Sequence, residues 1–141
     1  MRYLLECEVV ENDEVAPEQF RMRINAPELS RTAVAGQFCM LQVAEGLSPF
    51  LRRPMCFERI QRDHVSILYK AEGEGTRLLS KMRPGTTLGV QGPLGNGFPI
   101  DDSFERHIIV SGGIGVATFP ALAEALVRKC DVAPEVILAA R

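Results

Sequence analysis

The sequence has no large excess of charge of either sign and no long apolar run. Its 16 basic and 18 acidic side chains leave a formal charge of −2, so no broad positive field is present to attract nucleic acid or acidic lipid. No apolar run approaches the roughly 20 residues needed to span a bilayer, which argues against membrane insertion. Any affinity for phosphate must therefore come from a local site.

Metal-site spacings and a secretory leader are also missing. The cysteines lack the short C-x-x-C spacing of metal sites; they are Cys7, Cys39, Cys56 and Cys130. Without a leader, this pattern predicts free thiols in a reducing cytoplasm. No arrangement of serine, histidine and carboxylate indicates nucleophilic catalysis, so we predict neither a catalytic residue nor a metal ligand.

The apolar residues of the first part of the chain come in short runs broken by turn residues, which is typical of antiparallel strands. Six strands are predicted, at 4–10, 20–24, 38–43, 54–60, 65–69 and 87–91. Six short strands favour a small closed barrel in which the first strand pairs with the last. One short helix is predicted at 76–82, and the barrel domain is assigned to residues 1–103.

A different pattern follows the glycine-rich loop 92–99 and the polar stretch 101–106. It predicts a strand at 107–110, a tight turn at 112–115, a helix at 117–129 and a strand at 136–139, which together form one βαβ unit. We assign residues 104–141 to the start of an α/β domain. Because a doubly wound sheet needs several such units, we expect the chain to be a fragment whose second domain exposes apolar faces.

Two segments of the barrel carry groups that suit a phosphate. Arg53, beside Pro54, offers a charged fork for bidentate phosphate recognition. Gly75 and Thr76 precede a helix-like run, where bare backbone N–H groups favour an anion. Together they predict a diphosphate between the two segments. The alternative is that Gly75 and Thr76 form only a helix cap and that Arg53 is a solvated turn residue.

The turn Gly112-Gly113-Ile114-Gly115 partly matches a dinucleotide fingerprint. Thr118 stands where the third glycine or alanine is usual, and the next strand ends in Ala139-Ala140-Arg141 instead of an acidic residue. The pattern therefore leaves two interpretations open, a tight turn without a ligand or an incomplete nucleotide site.

Four segments taken together resemble one family. They are 51–57, 68–70 with Gly75 and Thr76, 92–98, and 111–117. In this order they are similar to the electron-transfer subunit of NAD-dependent dihydroorotate dehydrogenase, a branch of the ferredoxin-reductase-like flavoproteins. The resemblance covers most of the chain, up to a point before the family's iron–sulfur region.

The resemblance implies that the barrel binds FAD and that the second domain presents NAD to the flavin. The residues that it assigns to FAD are Arg53, Pro54, Met55, Cys56, Leu68, Tyr69, Lys70, Gly75 and Thr76. Those that it assigns to NAD are Gly112, Gly113 and Gly115, in a site that is incomplete in this chain. Cys56 stands in the family's serine position, and a thiol is a weaker hydrogen-bond donor than a hydroxyl.

The resemblance also implies a hetero-oligomer with a catalytic, FMN-containing dihydroorotate dehydrogenase subunit, in pyrimidine biosynthesis. A [2Fe-2S] cluster is implied for the full-length family member, but its cysteines follow the NAD domain, so we expect none in this chain. One alternative is the NAD(P)H-coupled flavin subunit of a sulfide dehydrogenase or a ferredoxin:NADP oxidoreductase. Another, of a different class, is a cofactor-free β-barrel interaction module.

Overall fold

The computed structural model describes residues 2–46 and 49–139. The first part of the chain forms β1 (Tyr3–Ala16), β2 (Gln19–Asn25), α1 (Pro27–Thr32), β3 (Phe38–Leu41), β4 (Arg53–Cys56), β5 (Arg59–Ile60), β6 (His64–Lys70), α2 (Glu74–Leu79) and β7 (Thr87–Leu94). The second part forms β8 (Ile108–Gly112), a 3-10 helix (Gly113–Thr118), α3 (Phe119–Cys130) and β9 (Glu135–Ala139). Within the described ranges, no helix is long and apolar enough to cross a bilayer.

The seven strands β1 to β7 form one antiparallel sheet in the order β4-β3-β7-β1-β2-β6-β5. The first strand pairs with the last, as expected, and the mainly β fold is confirmed. The predicted closed barrel is corrected to a curled half-barrel, because β4 and β5 are the edges of the sheet and do not pair with each other. The two edge strands, β4 and β5, are successive parts of one segment, 53–60. Its Phe57 N–H donates to the carbonyl of Gln37 at 3.3 Å, and its Glu58 N–H donates to the carbonyl of Ser66 at 2.7 Å.

This change of partner corrects the predicted strand count from six to seven. The segment expected as one strand, 54–60, pairs with β3 in its first half and with β6 in its second half. The curled sheet therefore has both of its edges on the same piece of chain. Phe57 lies at the change of partner, and its side chain is completely buried in the core.

Alternation along β6 separates the core from the surface that forms the site. Val65, Ile67 and Tyr69 face the core, whereas Leu68 and Lys70 lie on the opposite face and are only half-buried. Fully burying an aliphatic side chain such as Val65 or Ile67 stabilises the fold by about 1.5–3 kcal/mol. The core thus fixes the register of β6 and with it the residues that the strand presents outward.

The helices of the first part differ from the prediction. The helix expected at 76–82 is α2, which begins at Glu74, so that Gly75 lies in its first turn. The short helix α1 was not predicted, because six residues are too few to show a helical periodicity. Its signal is a proline at the start followed by Glu28 in the first turn.

The expected βαβ unit is confirmed, with β8 and β9 parallel and α3 between them. The segment 112–115, expected as a tight turn, instead ends β8 and opens the 3-10 helix. The N–H of Ala121, in the first turn of α3, donates to the carbonyl of Glu58 at 2.8 Å, and Glu124 forms an ion pair with Arg59. The second unit is therefore joined to the 53–60 segment of the barrel.

The βαβ unit also exposes apolar surface, as the sequence predicts. Five large apolar side chains of β8 and β9 have exposed fractions of 50–66%: Ile108, Val110, Val136, Ile137 and Leu138. A parallel sheet is normally covered on both faces. This small sheet is therefore a surface that favours contact with further protein.

Candidate functional site

The guanidinium of Arg53 lies against the backbone of Gly75. A β-carbon built on Gly75 would be 2.3 Å from Nε of Arg53 and 2.9 Å from Nη2, closer than real β-carbons approach other atoms. Arg53 Nη1 donates to the carbonyl of Leu51. Only glycine at position 75 leaves room for this arrangement. The structure therefore brings together the two features from which the sequence predicts phosphate binding.

Thr76 has a defined role at the start of α2. Its Oγ1 lies 3.1 Å from both the backbone N and the backbone O of Gly73, the residue that precedes the helix. The hydroxyl thus caps the first turn, as the simpler interpretation of this segment expects. The first N–H groups of the helix have no intrahelical partners. Gly75, in this capped turn, is buried beneath the guanidinium of Arg53.

A cleft of about 320 Å³ lies beside this turn, between the barrel and the 3-10 helix. Its lining comprises Pro54, Met55, Cys56, Leu68, Tyr69, Lys70, Glu72, Thr76, Ile114, Gly115, Ala117 and Thr118. Eight of the twelve predicted cofactor-binding residues therefore share one cleft, which we call the β4–β6 cleft. Arg53 and Gly75 adjoin it through their chain neighbours Pro54 and Thr76.

Tyr69 takes part in the cleft mainly through its backbone. Its side chain is 3% exposed and stacks on Phe20 with ring centroids 5.8 Å apart. Its hydroxyl donates to Oδ1 of Asn12 at 2.9 Å. Burial raises the pKa of Tyr69 to about 12. The phenol therefore remains protonated at neutral pH and belongs to the core.

Asn12 is a residue that the sequence analysis missed. Its Nδ2 donates to the carbonyls of Leu79 and Met82, at 2.9 and 3.0 Å, while its Oδ1 accepts from Tyr69. One side chain thus fastens the end of α2 to β6, the two elements that border the cleft. These partners are 57 to 70 residues away in the chain, and no local pattern signals such contacts.

A second cleft of about 640 Å³ adjoins the first. It is lined by Gln19, Lys70, Glu72, Gly112, Gly113, Ile114 and Ala139, so three residues, Lys70, Glu72 and Ile114, line both clefts. The predicted glycines are therefore divided between adjoining spaces. Gly113 has φ +57, a left-handed conformation that favours glycine. Ala140 and Arg141, at the position where an acidic residue is usual, lie outside the described residues.

Ser111, beside this glycine turn, has a buried Oγ without a hydrogen-bond partner in the described part of the chain. A β-carbon on Gly115 would be 3.7 Å from that oxygen. A buried hydroxyl without a partner is costly, and such groups occur where a ligand or water completes the bonding. The serine lies near the carboxyl end of β8, where open α/β sheets bind ligands.

Two charged groups at the junction of the clefts neutralise each other. Lys70 Nζ donates to Glu72, and this hydrogen bond raises the pKa of Lys70 and lowers the pKa of Glu72. Both side chains are exposed, so the pair is screened by water and adds little stability.

The thiol in the family's serine position lies at the surface of the β4–β6 cleft. Cys56 is exposed, and its partial desolvation raises the pKa of the thiol. It is therefore a neutral thiol at pH 7. Within residues 2–46 and 49–139, no three metal-ligating side chains are grouped so that they could hold a metal ion.

Sequence comparison finds curated relatives over most of the chain. The chain is 37% identical over 133 residues to the dihydroorotate dehydrogenase B (NAD(+)) electron transfer subunit of Bacillus pumilus, covering 92% of this chain and 52% of the relative. It is 36% identical over 121 residues to the subunit of the same name from Desulforamulus reducens, covering 84% and 46%. The chain thus spans about half the length of these relatives. No family model matches it.

Structure comparison gives a consistent result. The chain superposes with a TM-score of 0.86 and 28% identity on a chain of the NADH-dependent reduced ferredoxin-NADP oxidoreductase, over 97% of this chain and 49% of that one. It superposes on phthalate dioxygenase reductase with a TM-score of 0.73 and 19% identity, over 97% and 43%. The second likeness shows the fold alone. The ferredoxin-reductase-like fold expected from the motifs is confirmed.

Proposed function

The chain is a homologue of the electron transfer subunits of NAD-dependent dihydroorotate dehydrogenase, and we propose that it holds FAD for electron transfer to NAD. The cofactor would lie in the β4–β6 cleft, with its diphosphate at Arg53 and Gly75. The chain spans about half the length of these relatives. The whole protein would then be an oxidoreductase component in pyrimidine biosynthesis.

The contact between Arg53 and Gly75 is the observation that carries this proposal. A guanidinium provides a planar fork of donors that matches two phosphate oxygens. Gly75 adds a backbone without a side chain, in a helical turn whose first N–H groups lack intrahelical partners. Two independent sets of donors thus meet in one place, in a chain whose net charge is negative. A diphosphate fits this donor set.

The rest of the cleft fits a flat ring system. Pro54 and Cys56 on β4 and Leu68 on β6 offer apolar and weakly polar surface on the side toward the 3-10 helix. When bound, FAD supplies the redox chemistry, exchanging a hydride with nicotinamide and electrons with a partner. The protein's part is to bind and orient the ring and to exclude water from it. The adjoining cleft with Gly112 and Gly113 is the place that we assign to NAD.

The relatives' names also support a partner. We propose a hetero-oligomer in which a catalytic, FMN-containing dihydroorotate dehydrogenase subunit delivers electrons, with a [2Fe-2S] cluster of the whole protein as relay. Free thiols at all four cysteines are compatible with a reducing cytoplasm. Binding of the chain to that catalytic subunit, measured by co-purification, tests the partner.

A second candidate function is supported by the structural likeness to the ferredoxin-NADP oxidoreductase chain, which is 28% identical. In that case the same FAD cleft would serve a different redox partner. The greater sequence identity to the dihydroorotate dehydrogenase subunits favours the first assignment. Retention of this chain by a ferredoxin-linked subunit, and not by a dihydroorotate-oxidising one, would reverse the preference.

The visible spectrum of the purified chain tests the FAD proposal directly. We expect flavin absorption, or stoichiometric uptake of added FAD, and reduction of the bound flavin by NADH in the whole protein. A folded protein that is colourless and takes up no FAD would instead be the cofactor-free interaction module. Circular dichroism establishes that the colourless sample is folded.

A further inference from the structure

A wide cleft of about 850 Å³ lies on another part of the surface, where the barrel meets the second half of α3. It is bordered by the end of α1 with residues 33–35, the turn at 60–62, the stretch 98–100 and residues 125–129 of α3. It shares no lining residue with the β4–β6 cleft. The 3-10 helix of that cleft precedes α3, so the two clefts lie toward opposite ends of a helix about 18 Å long.

The charged side chains that line this wide cleft are all basic. They are Arg31, Arg62, Arg128 and Lys129, and no acidic side chain is part of the lining. Among the described residues, none of the three arginines forms an ion pair with a carboxylate. A chain with a net charge of −2 thus gathers four cations around one space.

Two of these cations are partly held by backbone carbonyls. Arg31 Nε donates to the carbonyl of Pro27 at 3.1 Å, which leaves the two terminal nitrogens of its guanidinium for other partners. Lys129 Nζ donates to the carbonyl of Ile100. These bonds fix the direction of both side chains at the edge of the cleft. An anion that enters would meet donors that are already oriented.

The floor of the wide cleft is apolar and rigid. Phe98 and Val34 are 39% and 51% exposed, and they are accompanied by Ala33, Ala35, Ile60, Ile100 and Ala125. The Phe98 N–H donates to the carbonyl of Ala35 at 2.9 Å. A β-carbon on Gly36 would be 2.9 Å from Cδ2 of the Phe98 ring, so the ring packs on the glycine. The aromatic face is therefore held in place.

We propose that this cleft binds a small organic anion that joins an aromatic body to a negatively charged group. The body would lie on Phe98 and Val34, and the charged group would accept hydrogen bonds from Arg62 and Arg128. Ligand sites of 300–1,000 Å³ with an apolar lining and few polar groups suit molecules of this size. Because barrel and α3 both line the cleft, the ligand would bridge the two units. The proposal does not depend on the bound flavin.

A matched pair of dyes tests the proposal. Anilinonaphthalene sulfonate has an aromatic body and one negative group, and phenylnaphthylamine has the same body without the charge. Equilibrium dialysis of the full chain measures the binding of each. We expect Arg62→Gln with Arg128→Gln to raise the Kd of the sulfonate about fivefold to tenfold and to leave that of the neutral dye unchanged.

Two controls separate this cleft from other surfaces. Arg83→Gln with Arg77→Gln makes the same change of net charge at exposed arginines outside the lining and should leave the Kd of the sulfonate as in the parent chain. Phe98→Ala should weaken both dyes. Equal binding of the sulfonate by the parent chain and the Arg62/Arg128 variant would overturn the proposal, and would place the dye on a surface such as the exposed β8–β9 sheet.

Discussion

The guanidinium of Arg53 occupies the space that a side chain at position 75 would need. A methyl group there would meet Nε at 2.3 Å. The arginine side chain is flexible, so it would move away while the fold persists. Strand β4 and the first turn of α2 therefore approach this closely because residue 75 has no side chain.

Gly75→Ala should therefore weaken FAD binding without unfolding the protein. Displacing the fork from a phosphate removes a charge-assisted contact that contributes about 1.5–3 kcal/mol, which corresponds to a rise of about tenfold or more in the Kd. Titration with FAD, followed by flavin fluorescence, gives the Kd. Gly73→Ala is the control, because a β-carbon there meets nothing within 4 Å. Equal affinity of the two variants would remove Arg53 and Gly75 from the phosphate site.

Asn12→Ala should lower both stability and FAD affinity. The change leaves the carbonyls of Leu79 and Met82 and the hydroxyl of Tyr69 without their partner, at a cost of about 2–3 kcal/mol. Urea denaturation gives the loss of stability, and titration with FAD in the absence of urea gives the affinity. Asp13→Ala, at the exposed neighbouring position, should alter neither quantity. A variant as stable as the parent chain would show that Asn12 does not hold α2.

Cys56→Ser should shift the reduction potential of the bound flavin. The thiol is exposed at the cleft, so the substitution spares the core, and a hydroxyl is the stronger donor. A stronger donor at the ring stabilises the more electron-rich reduced form, so the potential should rise. Spectroelectrochemical titration measures it, with Cys130→Ser as the control thiol. An unchanged potential would argue against any contact between residue 56 and the ring.

Stability should fall above pH 9 because of two buried thiols. Desolvation raises the pKa of Cys7 from 9.0 to about 11 and that of Cys39 from 9.0 to about 12. Below pH 9 both the folded and the unfolded chains keep these protons, so the stabilisation is fully present. Above pH 9 only the unfolded chain releases them, and the stabilisation is lost as the pH rises through the folded pKa values.

We expect a loss of about 2–3 kcal/mol per thiol by pH 11, measured as the change of the denaturation midpoint with pH. Cys7→Ala should flatten the profile between pH 9 and 11. Val9→Ala, on the same strand and also buried, should lower stability by the same amount at every pH. Parallel profiles for Cys7→Ala and the parent chain would contradict this origin of the alkaline loss.

Local sequence patterns predicted most of the strands and helices, but they did not predict how the edge strands of the sheet find their partners. Alternation located β6 to within one residue at each end, because one of its faces is buried along its whole length. The change of partner at Phe57 was not foreseeable, since it depends on hydrogen bonds to Gln37 and Ser66 and not on the pattern of the segment itself.

The same distinction holds for the site. Arg53 and Gly75 were identified from their chemistry, whereas their contact depends on how the sheet curls. Asn12 gave no signal, because an asparagine in a polar stretch is ordinary and its partners are far along the chain. The residues that we propose for cofactor binding were thus named from the sequence, whereas the residue that holds the neighbouring elements together required the structure.

The segment 53–60 also limits how the protein can be engineered. Its beginning supplies the proposed phosphate fork, and its end supplies the carbonyl of Glu58 and the charge of Arg59 that receive α3. A chimera that exchanges the βαβ unit for that of a structural neighbour must therefore preserve the contacts to Glu58 and Arg59 as well as the point at which the two sequences are joined. A graft that ignores them would change the orientation of the imported unit relative to the sheet, even with every residue of the β4–β6 cleft preserved.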